Sequence, residues 1–279
     1  MRGLQGRLTT PRAMIGLQGR PATPRAPAGD PAGATVELRG VRHAFGALPV
    51  LDGVELEVPA HGRLAVVGPS GGGKSTLLGL LAGLLEPTAG SVLVGGERDP
   101  RARLARCALM PQKDLLLPWR SALDNACLAL ENQGVRRPEA RRRARPLFER
   151  FGLGSFEQAP PARLSGGMRQ RVAFLRTLLA GKQVLLLDEP FGALDSITRG
   201  QMQEWLAGAL AEQPSTVVLV THDVEEALLL ADSVAVLSQR PGRVVRRLDS
   251  ELPRGLPRRE LVASPAFVAA RQRVLEALG

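Results

Sequence analysis

The 279-residue chain has no tyrosine, two cysteines (Cys107 and Cys127), 3% aromatic residues, and three lysines among its 37 cationic side chains. Two cysteines cannot build a disulfide framework, so burial of apolar surface must hold the fold, and a reducing, cytoplasmic setting is expected. The longest apolar run, Leu77 to Leu85, falls well short of the roughly 18 residues that a membrane-spanning helix needs. No apolar leader precedes a small-residue cleavage site, so a secreted product is not expected either. The net charge of +10 invites a nucleic-acid reading. The scarcity of aromatics, and the lack of any helix-turn-helix or zinc pattern, argues against it.

What remains is an ordinary globular composition, 44% hydrophobic and 23% charged, at a length suited to one large α/β domain or two small ones. Residues 1–33 carry five Arg against one Asp and show no apolar periodicity, so a disordered tail is expected there. That segment also repeats itself: Gly3 to Ala13 returns as Gly16 to Ala26 with nine of eleven positions matching. A second basic cluster, Arg136 to Arg150, holds seven Arg with Glu139 and Glu149 and reads as an exposed helix backed by Leu147, Phe148 and Phe151.

From Ala34 the pattern becomes that of alternating strands and helices. Thr35 to Leu38 alternates as a half-buried strand, whereas Leu64 to Val67, Val184 to Leu187, Val217 to Val220 and Val234 to Leu237 are short, continuous apolar runs. Such runs, separated by helical stretches, predict a parallel sheet buried on both faces. Near the end, Ser264 and Pro265 supply a cap and first turn for a helix whose apolar face is expected to hold Phe267, Val268, Val274, Leu275 and Leu278.

Gly68-Pro69-Ser70-Gly71-Gly72-Gly73-Lys74-Ser75-Thr76 lies between the strand ending at Val67 and the helix that follows. It fits GxxxxGK[ST], a loop whose glycines let successive backbone N–H groups turn toward phosphate oxygens at a helix N-terminus. Lys74 would reach the β- and γ-phosphates, and the Ser75 hydroxyl would hold Mg²⁺. The apolar strand Val184 to Leu187 ends in Asp188-Glu189, where Asp188 would also meet Mg²⁺ and Glu189 would act as general base for an attacking water. His222, after the strand Val217 to Val220, would contact the γ-phosphate and Glu189, with Asp223 starting the next helix.

Together with Leu164-Ser165-Gly166-Gly167-Met168-Arg169-Gln170-Arg171, these residues resemble the ATP-binding cassette (ABC) family of transport ATPases. The resemblance covers residues 34 to about 245, with Gln112, VLLLDEP, FGALD and THD in the family's order. It implies a P-loop NTPase fold: a RecA-like parallel-sheet core, an antiparallel β subdomain and a helical subdomain at about 113–168, within a cassette spanning 34–250 and followed by a helical tail at 251–279. It also implies a head-to-tail homodimer in which Ser165, Gly166 and Gly167 of one copy meet the ATP held by the other's phosphate loop. Phe45 would stack on adenine, Gln112 would touch Mg²⁺ and water, and Asp195 would line the dimer seam.

Leu116-Leu117-Pro118-Trp119 resembles the importer branch for nitrate, taurine, aliphatic sulfonates and thiamine-precursor pyrimidines. The implied partners are transmembrane permease subunits and, indirectly, an extracytoplasmic solute-binding protein, with the chain peripheral on the cytoplasmic face of the cell membrane. Trp119 either lines the permease-docking groove or belongs to the core. An exporter ATPase and a soluble cassette acting on nucleic acid or ribosomes are the alternatives.

Overall fold

In a computed structural model, the described residues are 33–192, 194–212, 214–253 and 256–279, so the N-terminal repeat lies outside them. β1 (Val36–Phe45) and β2 (Leu48–Val58) form a hairpin, and β4 (Ala89–Val94) pairs with the other edge of β1 to make a three-stranded antiparallel sheet. Alternation sets one face inward: Val36 and Leu38 oppose Val58 and Leu56, all buried.

The second sheet contains β3 (Arg63–Val67), β5 (Cys107–Met110), β6 (Val184–Asp188), β7 (Thr216–Thr221), β8 (Ser233–Leu237) and β9 (Val244–Asp249). Their order is β5-β6-β7-β3-β8-β9, with β9 antiparallel to β8 and the other pairs parallel. The four apolar runs become β3, β6, β7 and β8, and every residue of β7 and β8 is buried. Sheets covered on both faces need such unbroken runs. Because β5, β6, β7 and β3 are neighbours pointing the same way, the segments leaving their carboxyl ends lie side by side. Those segments hold Gln112, Asp188 with Glu189, His222, and the phosphate loop. A crevice of this kind is where open α/β sheets bind ligands.

α2 (Pro100–Arg106) precedes β5, and between β5 and β6 the chain forms α3 (Ala122–Asn132), α4 (Arg137–Arg150) and α5 (Gly166–Leu179). α5 begins inside the expected helical region but runs on to Leu179, so one helix joins that region to the sheet. In α4, Arg137 and Arg141 pair with Asp124, Arg142 and Arg143 with Glu139, Arg145 with Glu157 and Arg150 with Glu212. Local carboxylates therefore answer most of the basic cluster, and Phe148 and Phe151 are buried beneath it.

α6 (Ser196–Ala211) and α7 (Val224–Leu230) flank the sheet, and α8 (Arg258–Ala263) and α9 (Pro265–Leu278) close the chain. The Ser264 hydroxyl caps α9 by accepting from the Phe267 N–H at 3.2 Å. The buried face of α9 differs from the expected one: Phe267, Ala270 and Val274 are buried, while Val268, Leu275 and Leu278 are exposed. A three-and-four spacing puts Ala270 in the stripe and carries Val268 and Leu275, one residue further round, out of it.

Candidate functional site

The phosphate loop fits between its neighbours only as glycine. A Cβ on Gly68 would lie 2.6 Å from the Leu237 carbonyl oxygen, and one on Gly72 would lie 2.9 Å from that of Ser238. Gly71 and Gly73 take φ of 79° and 95°, which residues with a Cβ rarely adopt. α1 (Lys74–Leu81) starts directly from Gly73 with no side chain capping it, so its first N–H groups are left for an anion. Lys74 is 6% exposed, and its Nζ donates to the carbonyls of Gly68 at 2.9 Å and Pro69 at 3.0 Å. Burial lowers its pKa, while the carboxylates of Glu189 and Asp188 oppose that shift. Phosphate oxygens would give this buried ammonium the close anionic partner it needs. In the same loop Ser70 and Ser75 are exposed and Thr76 is half-buried.

At the helix end of the loop, Ser75 faces Asp188, the last residue of β6, and acts to lower the pKa of its carboxyl. Burial raises the Asp188 pKa and the Glu189 charge adds to that, against Ser75 and Lys74. A hydroxyl and a carboxylate oxygen converging beside a phosphate cradle suit Mg²⁺, a hard cation that takes few protein ligands alongside phosphate oxygens. Glu189 sits at a φ of 42°, an uncommon conformation for a non-glycine residue, held by its N–H donating to the Val220 carbonyl at 2.9 Å. That turn aims its carboxylate at three sequence-predicted residues. Oε2 accepts from the Gln112 side-chain amide at 3.0 Å and lies 3.4 Å from His222 Nδ1, while Oε1 is 3.9 Å from Lys74 Nζ.

The other predicted residues stand apart from this cluster. Phe45, 52% exposed, ends β1 with its ring packed edge-on to His43 at 4.7 Å. The same hairpin borders the phosphate loop, because a Cβ on Gly73 would meet the side chains of Leu51 and Val50. Phe45 is thus an open ring on the strand pair that flanks the cradle. Ser165 caps α5, its hydroxyl accepting from the Met168 N–H at 3.2 Å, and Gly166 and Gly167 pack toward Leu194 and Thr198. The Asp195 carboxylate accepts from the Thr198 N–H at 3.1 Å, so the Ser165 and Asp195 segments form one exposed ledge. Trp119 is 77% exposed, which removes the core alternative for it.

Sequence reading missed Arg176. From α5 its guanidinium donates to the carbonyls of Asp114 at 2.7 Å and Leu115 at 3.0 Å, while Arg169 reaches the Asp114 carboxylate at 3.1 Å. These contacts tie α5, the helix capped by Ser165, to the segment following Gln112. No sequence signal marks them, since the partners are more than fifty residues apart.

The chain matches the ABC transporter family over residues 51–192. It is 44% identical over 249 residues to the taurine import ATP-binding protein TauB of Chromobacterium violaceum, covering 88% of this chain and 95% of that protein. It is 46% identical to the aliphatic sulfonates import ATP-binding protein SsuB 1 of Mesorhizobium japonicum, covering 79% of this chain and 80% of the relative. Among solved structures, a dimeric ATP-binding cassette in a post-hydrolysis state, bound to ADP and Pi, superposes with a TM-score of 0.66 at 30% identity. That match covers 77% of this chain and 99% of the cassette. The mixed parallel and antiparallel sheets with their helices agree with that cassette fold, and the chain belongs to the ABC transporter family as one of its ATP-binding, ATP-hydrolysing proteins.

Proposed function

We propose that this chain forms a homodimer that binds MgATP at two shared sites and drives import of a small organic sulfonate through separate permease subunits. The convergence of Gln112, His222 and Lys74 on Glu189 carries the hydrolytic part of this reading. The likeness to taurine and sulfonate import proteins supports a sulfonate as cargo ahead of nitrate or a pyrimidine.

In this reading the backbone of Gly68 to Gly73 and the Lys74 ammonium hold the β- and γ-phosphates, and Phe45 stacks on adenine. Ser75, Asp188 and Gln112 would hold Mg²⁺, which when bound neutralises charge on the phosphate oxygens. Glu189 orients a water for in-line attack and takes its proton, and His222 steadies the γ-phosphate side of Glu189. Ser165, Gly166 and Gly167 of the second copy present a helix N-terminus to the same phosphates, with Asp195 at the seam.

Residues 34–250 serve as the cassette, with 113–168 facing the permease near Leu115 and the exposed Trp119, and 251–279 as an accessory tail. Among the described residues no helix is long and apolar enough to cross a membrane, consistent with a peripheral place beside a permease. A solute-binding protein outside the membrane would choose the cargo.

Two measurements test this. Glu189→Gln is expected to bind ATP normally, to hydrolyse it at least about a hundredfold more slowly, and to accumulate as a dimer with MgATP. Unchanged turnover would remove Glu189 from its role. Copurification from the native cell should bring down a permease, and failure to do so in mild detergent would count against the transport reading.

A further inference from the structure

Beside His222 lies a buried carboxyl, Glu226, that none of the motifs marks. The Thr221 hydroxyl, at the end of β7, accepts from the Asp223 N–H at 3.0 Å and donates to Glu226 Oε2 at 3.0 Å. Asp223 Oδ1 in turn accepts from the N–H groups of Glu225 at 2.9 Å and Glu226 at 3.1 Å. His222 is therefore bracketed by bonds that all close on the first turn of α7. Glu226 is 3% exposed, its Oε1 has no hydrogen-bond partner among the described residues, and it lines one narrow crevice with Glu189, Arg199 and His222.

The charges around Glu226 favour an uncharged acid. Asp223 on its own helix and Glu189 beyond β6 are negative, and His222 stands beside them. Arg199 of α6 is the cation facing the crevice, but it donates to the Leu194 carbonyl at 3.0 Å and lies 4.0 Å from Asp223. Arg258 of α8 and Arg271 of α9 both approach Glu225 instead, and β8 carries no charged residue. The charged residue of β3, Arg63, donates to the Leu210 carbonyl at the strand's opposite end. Burial pushes the Glu226 carboxyl up to about 8. The Thr221 bond and Arg199 oppose that shift, and Asp223 and Glu189 reinforce it.

We propose that Glu226 is a positioning residue for hydrolysis: as an uncharged acid it locks His222 in place through Thr221. When it ionises, repulsion from Asp223 and Glu189 opens the first turn of α7 and turnover falls. This rests on the hydrolytic assignment of Glu189 and His222.

The test is ATP hydrolysis by the full chain between about pH 6.5 and about pH 9.5, with kcat and KM resolved separately. Wild type should lose kcat above about pH 8 at nearly constant KM. Glu226→Gln, uncharged at every pH, should keep kcat within about twofold at neutral pH and show no such alkaline fall. Glu226→Ala and Thr221→Val should each lower kcat about tenfold across the range without raising KM. The proposal is overturned if Glu226→Gln follows the wild-type alkaline fall, if wild type shows no fall, or if a folded Glu226→Ala protein turns over normally. Should the alanine variant not fold, the glutamine profile alone decides. Glu189→Gln is the control: full activity there would mean that the hydrolytic assignment had failed, not the role of Glu226.

Discussion

The Gln112 side-chain amide donates to Glu189 Oε2 across 3.0 Å, joining the segments that leave two adjacent strands. Because Glu189 already holds an uncommon backbone conformation, this bond decides where its free oxygen lone pairs point. Gln112→Ala should therefore lower kcat by about tenfold and leave the Kd for ATP within about twofold. Single-turnover hydrolysis alongside fluorescent-nucleotide titration checks this. A Kd that rises as far as kcat falls would make the Mg²⁺ contact of Gln112, and not its bond to Glu189, the larger of its two roles.

Lys74 predicts the reverse split. Its ammonium is buried at a cost and is held by two carbonyls of its own loop, so removing it relieves folding while depriving phosphates of their nearest cation. Lys74→Met is expected to keep or slightly raise the thermal midpoint and to weaken ATP binding by about a hundredfold or more, roughly 3 kcal/mol. Calorimetric titration beside a melting curve separates the two effects.

The parts of the site that backbone sterics dictate were legible in the sequence. Gly71 and Gly73 announce positive φ, and the apolar runs of β3, β6, β7 and β8 announce a sheet buried on both faces. The strand β9 was not legible: it has no fully buried residue and two arginines. An edge strand exposed in this way lacks the pattern that identifies buried ones. Nor could Gln112, 77 residues from Glu189, be placed beside it by spacing alone. On α9, apolar character misled: Val268 and Leu275 are hydrophobic yet face outward, because one stripe of Phe267, Ala270 and Val274 already fills the contact.

The helical region depends on a carboxylate that takes two forks. Asp124, 5% exposed, accepts from Arg141 Nε and Nη2 at 2.8 and 2.9 Å and pairs with Arg137 as well. Burial alone would raise its pKa, but the bonds from Arg141 and Arg137 outweigh that and hold it well below the usual carboxylate range. A depressed pKa contributes stability above the unfolded value of about 3.9, and loses it as pH falls toward the folded value. Asp124→Asn should cost about 1 to 3 kcal/mol at neutral pH, softened because both arginines are partly solvated. The gap to wild type should shrink below about pH 4. Denaturant unfolding at several pH values measures it, and a gap that widened on acidification would contradict this.

The two thiols can report on that same region. Burial pushes Cys107 up to about 12 against the nearby cations Arg103, Lys182 and Arg106. Cys127, fully buried on α3, is pushed up to about 11 by burial, with Asp124 and Glu131 adding to it. Since thiolate is the reactive form, neither should react with an aromatic disulfide reagent at about pH 8 until its surroundings open. Cys127 lies one turn from Asp124, whereas Cys107 begins β5, an edge strand of the six-stranded sheet. In Asp124→Asn, loosening of the α3 and α4 contact should speed Cys127 labelling by about tenfold and leave Cys107 near its wild-type rate. Mass spectrometry of the labelled peptides distinguishes them. Equal acceleration at both thiols would mean that Asp124 holds the whole cassette together, not only its helical part.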